Sequence, residues 1–180
     1  MSSIPKDTVI PKASGQFMKL QDGKNKLRVL SNVVLGWEGW LNKKPFRHEG
    51  QVCKIKPEEV DLNPNGQPNI NYFWAMVVWN YQDKKVQVLE ITQKTVMGPL
   101  YELEQNPDWG DLKGYDIEIN KKKEGDKTKY YVLGIPPKPL ADEINKAYED
   151  SDVDLQALFK GEYPMKGEAT DITAEDIPFD

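Results

Sequence analysis

Apolar positions in this chain recur with a period of two over several stretches, which predicts strands. The run Leu27-Arg28-Val29-Leu30-Ser31-Asn32-Val33-Val34-Leu35 is rich in aliphatic and β-branched residues and predicts one long strand, with Gly36 and Gly39 as bulge or bend positions. Residues 56–71 carry Pro57, Pro64, Gly66 and Pro68 among polar neighbours and predict a loop. Asn71 to Tyr81 is the strongest strand, and the turn Gln82-Asp83-Lys84 leads into a partner, Lys85 to Ile91. Val96, Leu100 and Leu103 then recur at helical spacing, with Thr92 as the N-cap and an end near Asn106-Pro107. Pro99 inside that pattern either kinks the helix or divides it at Gly98-Pro99. A second hairpin follows: Tyr115 to Lys121, a turn at Glu124-Gly125-Asp126, and Lys129 to Ile135, closed by Pro136-Pro137-Lys138-Pro139. Leu140, Ile144, Ala147 and Tyr148 fall on one face of a short C-terminal helix, and Val153, Leu155, Leu158 and Phe159 extend its packing.

Five strands with one helix between the third and fourth is the arrangement of an OB-fold barrel, so the expected class is mainly β with minor α. The expected organisation is a flexible lead-in at 1–24, an OB-fold domain with a C-terminal helix at 25–160, and a disordered acidic tail at 161–180.

Composition sharpens this picture. Residues 1–56 hold eleven Lys and Arg against four Asp and Glu, whereas residues 139–180 hold three against twelve. A basic-leaning body with an acidic tail hints at nucleic-acid contact. The longest apolar stretch, Tyr72 to Trp79, is far short of the roughly 20 residues that cross a bilayer. The N-terminus has no apolar signal core and Cys53 is the single cysteine, so a reducing, cytoplasmic setting is expected. One histidine, one cysteine, no phosphate-binding glycine loop and no nucleophile motif argue against an enzyme, a cofactor or a metal site. Asp108 and Asp111 around Trp109 read as a turn and helix cap.

Sequence-independent binding of single strands needs cations that follow phosphates and flat rings that stack on bases. This chain interleaves both. Arg28, Lys43, Lys44, Arg47, Lys54 and Lys94 are the candidate phosphate contacts, and Trp37, Trp40, Phe46, Tyr72 and Trp74 the candidate stacking rings. Alternation divides the central strand into Phe73, Ala75, Val77 and Trp79 on one side and Tyr72, Trp74, Met76 and Val78 on the other. Both sides are apolar, so both must be covered. The small Ala75 suits a crowded interior, which assigns Tyr72 and Trp74 to the ligand side. The run Lys121-Lys122-Lys123 falls at a hairpin tip, where a solvated turn and a phosphate contact are equally compatible with it. The competing reading is an OB-fold module that binds a protein or an oligosaccharide through the same apolar faces.

The end Asp176-Ile177-Pro178-Phe179 is similar to the acidic tip of bacterial single-stranded DNA-binding proteins, although Asp180 follows the phenylalanine that is terminal in those proteins. The blocks Val52-Cys53-Lys54-Ile55-Lys56-Pro57, Tyr72-Phe73-Trp74-Ala75, Leu89-Glu90-Ile91-Thr92-Gln93-Lys94, Asp108-Trp109-Gly110-Asp111, Gly114-Tyr115-Asp116-Ile117 and Leu155-Gln156-Ala157-Leu158-Phe159 resemble phage-encoded, helix-destabilising single-stranded DNA-binding proteins of the T-even type. The resemblance implies an OB-fold that coats single-stranded DNA in replication, recombination and repair. It also implies a tail, Asp176 to Phe179, that recruits replication proteins and competes with DNA for the basic cleft. Members of that type hold a structural zinc with one histidine and three cysteines. Here His48 and Cys53 stand without further thiols, so no metal is expected and other contacts must order the loop from Lys54 to Asn71.

Overall fold

A computed structural model describes residues 15–165. In this span seven antiparallel strands form an unclosed sheet with two α-helices. They are β1 (Gly23–Val29), β2 (Val34–Leu41), β3 (Lys44–Glu49), β4 (Ile70–Asn80), β5 (Lys85–Ile91), β6 (Asp116–Glu124) and β7 (Lys127–Gly134), with α1 (Lys94–Gln105) and α2 (Asp142–Ser151). The expected five strands are therefore seven, for two local reasons.

The expected long strand is broken in the middle. Leu30 N still donates to Val77 O (2.8 Å), but Val77 N donates to the Ser31 hydroxyl (2.8 Å) in place of a backbone carbonyl. β2 then resumes at Val34 opposite Ala75, so β1 and β2 lie end to end along one edge of β4, and β5 runs along the other. The second reason is a hairpin between β2 and β3, with Asn42 and Lys43 as its two loop residues, both at positive φ (52° and 64°). That is a type I′ geometry, in which asparagine is favoured first and glycine second. Lysine in the second place conceals the turn from the sequence.

β6 pairs with the free edge of β1, and β7 with β6. The outer edge of β5 is occupied by residues 16–18: Val88 N donates to Gln16 O (2.7 Å) and Met18 N to Val88 O (2.9 Å). This segment takes the edge at which a closed barrel would join its last strand. Phe17 and Met18 are buried, so that part of the expected lead-in belongs to the body.

Both faces of β4 are covered, as its two apolar sides require. Met76 and Val78 join Leu27, Val29, Ile117, Ile119 and the buried face of α1 (Val96, Met97, Leu100) in one core. Phe73, Ala75 and Val77 join Leu30, Val88, Ile144 of α2 and Leu155 and Leu158 of the 3₁₀ turn Leu155–Lys160 in a second. Each fully buried aliphatic or aromatic side chain contributes about 1.5–3 kcal/mol, so the C-terminal segment is held as part of the domain. Met165 N donates to Gln16 Oε1 (3.1 Å), which extends this attachment into the expected tail. The N-cap of α1 is Gln93, one residue after the expected Thr92, so α1 begins at Lys94 and runs undivided through Pro99. Asp111 caps a 3₁₀ turn by accepting from Lys113 N (2.8 Å), as its spacing predicted. The expected docking peptide, Asp176 to Phe179, lies outside the described residues.

Candidate nucleic-acid interface

Cross-strand register decides which rings meet. Trp37 on β2 lies opposite His48 on β3 and Tyr72 on β4, Leu35 lies opposite Trp74, and Gly39 opposite Phe46. Directly opposed residues share a sheet face, so Phe46, His48, Trp37, Tyr72 and Trp74 form one band across β3-β2-β4. His48 is exposed and the other four are half-buried. The Trp37 and Tyr72 rings lie 5.4 Å apart, tilted by 51°, and Phe46 meets His48 edge-on at 6.0 Å.

A chain of hydrogen bonds sets the band's polar tips. Trp74 Nε1 donates to the Tyr72 hydroxyl (3.2 Å), which donates to Gln51 Oε1 (3.0 Å), and Trp37 Nε1 donates to the Gln51 carbonyl (3.0 Å). Gln51 thus ties three rings to the loop after β3. No sequence pattern marks this residue, because its partners lie 14 and 21 positions away.

The two glycines of β2 are in-register ladder positions, not bulges. A Cβ on Gly36 would lie 2.2 Å from the His48 carbonyl oxygen, and one on Gly39 would lie 2.6 Å from the Phe46 ring. Gly39 is the seat on which Phe46 rests. Gly39→Ala is expected to displace that ring and lower stability by about 1–3 kcal/mol, as overpacking does. Urea unfolding checks this, and an unchanged midpoint would mean that Phe46 does not depend on the seat.

Three candidate site residues are corrected by the same alternation. Trp40 is three positions from Trp37 and therefore faces the second core, where its Nε1 donates to Glu38 Oε1 (2.7 Å). Arg47, between Phe46 and His48, also points to that side and is 3% exposed. Its guanidinium lies 2.9 Å from Glu90 Oε2 and 3.0 Å from Glu38 Oε2, above the Phe73 ring. Burial, reinforced by the neighbouring Glu90 charge, holds the Glu38 carboxyl well above the ordinary glutamate value. Burial also pushes Glu90 upward, but Arg47 and a hydrogen bond from Glu38 outweigh it and hold Glu90 below that value. Arg28 is 2% exposed, with Nε donating to Lys113 O (2.9 Å), Nη2 donating to Lys138 O (2.9 Å) and Nη1 3.4 Å from Asp116 Oδ1. Trp40, Arg28 and Arg47 are thus internal groups that cannot reach a base or a phosphate.

The candidate lysines do not form one group. Lys44 shares the ring face of β3 with Phe46 and His48, Lys43 sits in the hairpin loop, and Lys54 and Lys56 follow Gln51. None of these four side chains makes an ion pair among the described residues. Lys94 is exposed at the first residue of α1. Lys121, Lys122 and Lys123 are ladder residues of β6, not hairpin-tip residues, opposite Tyr130, Lys129 and Thr128. β4 and β1 stand between them and the β2–β3 hairpin, so the sheet order does not bring this run to the ring band.

No protein-family model, no curated protein and no solved structure matches the chain. Among the described residues, no helix is long and apolar enough to cross a membrane.

Proposed function

We propose that this chain is a non-catalytic, sequence-independent binder of single-stranded DNA, and that its sheet is an OB-fold left open. The order of pairings supports the fold reading: a meander of β1/β2, β4 and β5, a helix, then β6 returning to β1 and pairing with β7. The observation that carries the function is the band Phe46-His48-Trp37-Tyr72-Trp74 on one face, with Lys44 on that same face, Lys43 in the adjoining hairpin loop and Lys54 and Lys56 in the segment after Gln51, none of them in an ion pair among the described residues. The exposed parts of these half-buried rings offer stacking surfaces, worth about 1–3 kcal/mol per base when a ring stacks, and every base has a face that can use them. Lys43, Lys44, Lys54 and Lys56 supply the phosphate contacts, with Lys94 as a further candidate. On this reading the protein coats single strands in phage replication, recombination and repair, and Asp176 to Phe179 recruits other replication proteins.

Four phosphate contacts on a single strand give log K a slope of about −3 against log salt. The test is tryptophan fluorescence titrated with oligo-dT at two salt concentrations. Quenching of the Trp37 and Trp74 emission with affinity falling along that slope is expected. No quenching, or salt-independent binding, would sink the proposal and favour a protein or oligosaccharide ligand.

A further inference from the structure

The sheet exposes another ring on its opposite face. Following the register from Tyr72 through Val78, Val29, Ile117 and Ile119 to Val132 keeps one face throughout, the face of the first core. Tyr131 and Leu133 therefore point the other way, and at 48% and 59% exposure they are among the most exposed large apolar residues described. Register places lysines around them in rows. Lys24, Asn120 and Tyr131 form one row, Lys26, Glu118 and Leu133 the next, Lys122 and Lys129 a third, and Glu124 and Lys127 a fourth.

The geometry of this patch is fixed by few groups. Tyr131 OH donates to Glu124 Oε1 (3.1 Å), Glu124 Oε2 lies 2.8 Å from Lys129 Nζ, and Lys122 Nζ stands 5.4 Å from the Tyr131 ring centroid. Glu118 meets Lys24 at 3.7 Å. Five lysines thus face Glu118, Glu124 and the buried Asp116, which lies 3.7 Å from Lys26 Nζ, and Lys122 and Lys127 make no ion pair among the described residues. Lysines on an edge strand also guard against edge-to-edge pairing, but that role calls for neither an exposed tyrosine nor an exposed leucine among them. A protein partner fits poorly, because the centres of protein interfaces are depleted in lysine. A ring set among cations on an open strand surface has the two components that an unpaired strand needs.

We propose that the outer face of β1-β6-β7, centred on Tyr131, is a second contact surface for single-stranded nucleic acid. One chain then holds two strands at once, one on each side of its sheet. This goes beyond the ring band, since the band lies on the first-core face of β3-β2-β4 and Tyr131 on the opposite face of β1-β6-β7, so the thickness of the sheet separates the two surfaces.

The test uses the full chain and two oligo-dT probes of about ten nucleotides, one carrying a donor dye and one an acceptor, mixed equally with protein limiting. Energy transfer and saturation at two probes per chain are expected. Combining Tyr131→Ala with Lys122→Glu should weaken the second binding event at least about tenfold and abolish transfer. Tryptophan quenching by the first probe should stay within about twofold, because neither residue touches the ring band. Saturation at one probe without transfer overturns this inference and leaves the ring band standing. Transfer that persists in the double variant also overturns it, since the strands would then be joined by another route. Absence of any probe binding by the unaltered chain would sink both readings.

Discussion

Arg47→Met is expected to lower the free energy of unfolding by about 3–5 kcal/mol, because it leaves two buried carboxyl groups without their cation. Methionine fills similar space, so the loss is electrostatic rather than a cavity effect. Arg47 from β3, Glu38 from β2 and Glu90 from β5 join three strands beneath the C-terminal 3₁₀ turn, which packs on β3. The same cluster shapes the pH dependence. Glu90 titrates below its unfolded value, so its contribution is present above the ordinary glutamate value and is lost as pH falls through the folded one. Glu38 titrates above its unfolded value, so its contribution is present in acid and is lost as pH rises through the folded one. Stability attributable to the pair therefore peaks near the ordinary glutamate value and declines on both sides. Glu38→Gln removes the decline on the high-pH side and leaves the acid limb. Urea unfolding of the three proteins across pH measures both effects. An Arg47→Met protein as stable as its parent, or a high-pH limb unaltered by Glu38→Gln, would show that the three charges are not coupled as described.

How much of this was readable beforehand follows from what each residue pattern encodes. β4, β5, β6, β7 and both helices carry apolar patterns long enough to read, the α1 pattern surviving Pro99, and all appear near their expected positions. The β2–β3 hairpin does not announce itself, since Asn42-Lys43 lacks the glycine that marks such a turn. That omission propagated into the site. Once Trp37 to Trp40 is known to be strand, a separation of three puts those two rings on opposite faces, and Arg47 parts company with Phe46 and His48 in the same way. Residue types identified the chemistry, but strand phase decides which members reach solvent. Gln51 and the Ser31 break depend on contacts between distant segments and leave no local trace.

Removing the two central rings should cost the most binding energy. Trp37→Ala and Tyr72→Ala are each expected to weaken oligo-dT binding by about 1–3 kcal/mol, a factor of roughly 5 to 150. Because the rings lie 5.4 Å apart and share Gln51 as a hydrogen-bond partner, the double variant should lose less than the two single losses combined. The salt slope should not change, since neither residue neutralises a phosphate. Lys44→Ala and Lys54→Ala should do the reverse, each reducing the slope by about 0.7 with a modest loss at low salt. Trp40→Phe is the internal control: it removes the donor to Glu38 in the second core and should lower stability while leaving affinity for the folded protein unchanged. Anisotropy titrations at three salt concentrations, paired with urea unfolding, separate these outcomes. If Trp37→Ala and Tyr72→Ala bind as the parent does while Trp40→Phe does not, the strand lies on the other face of β2.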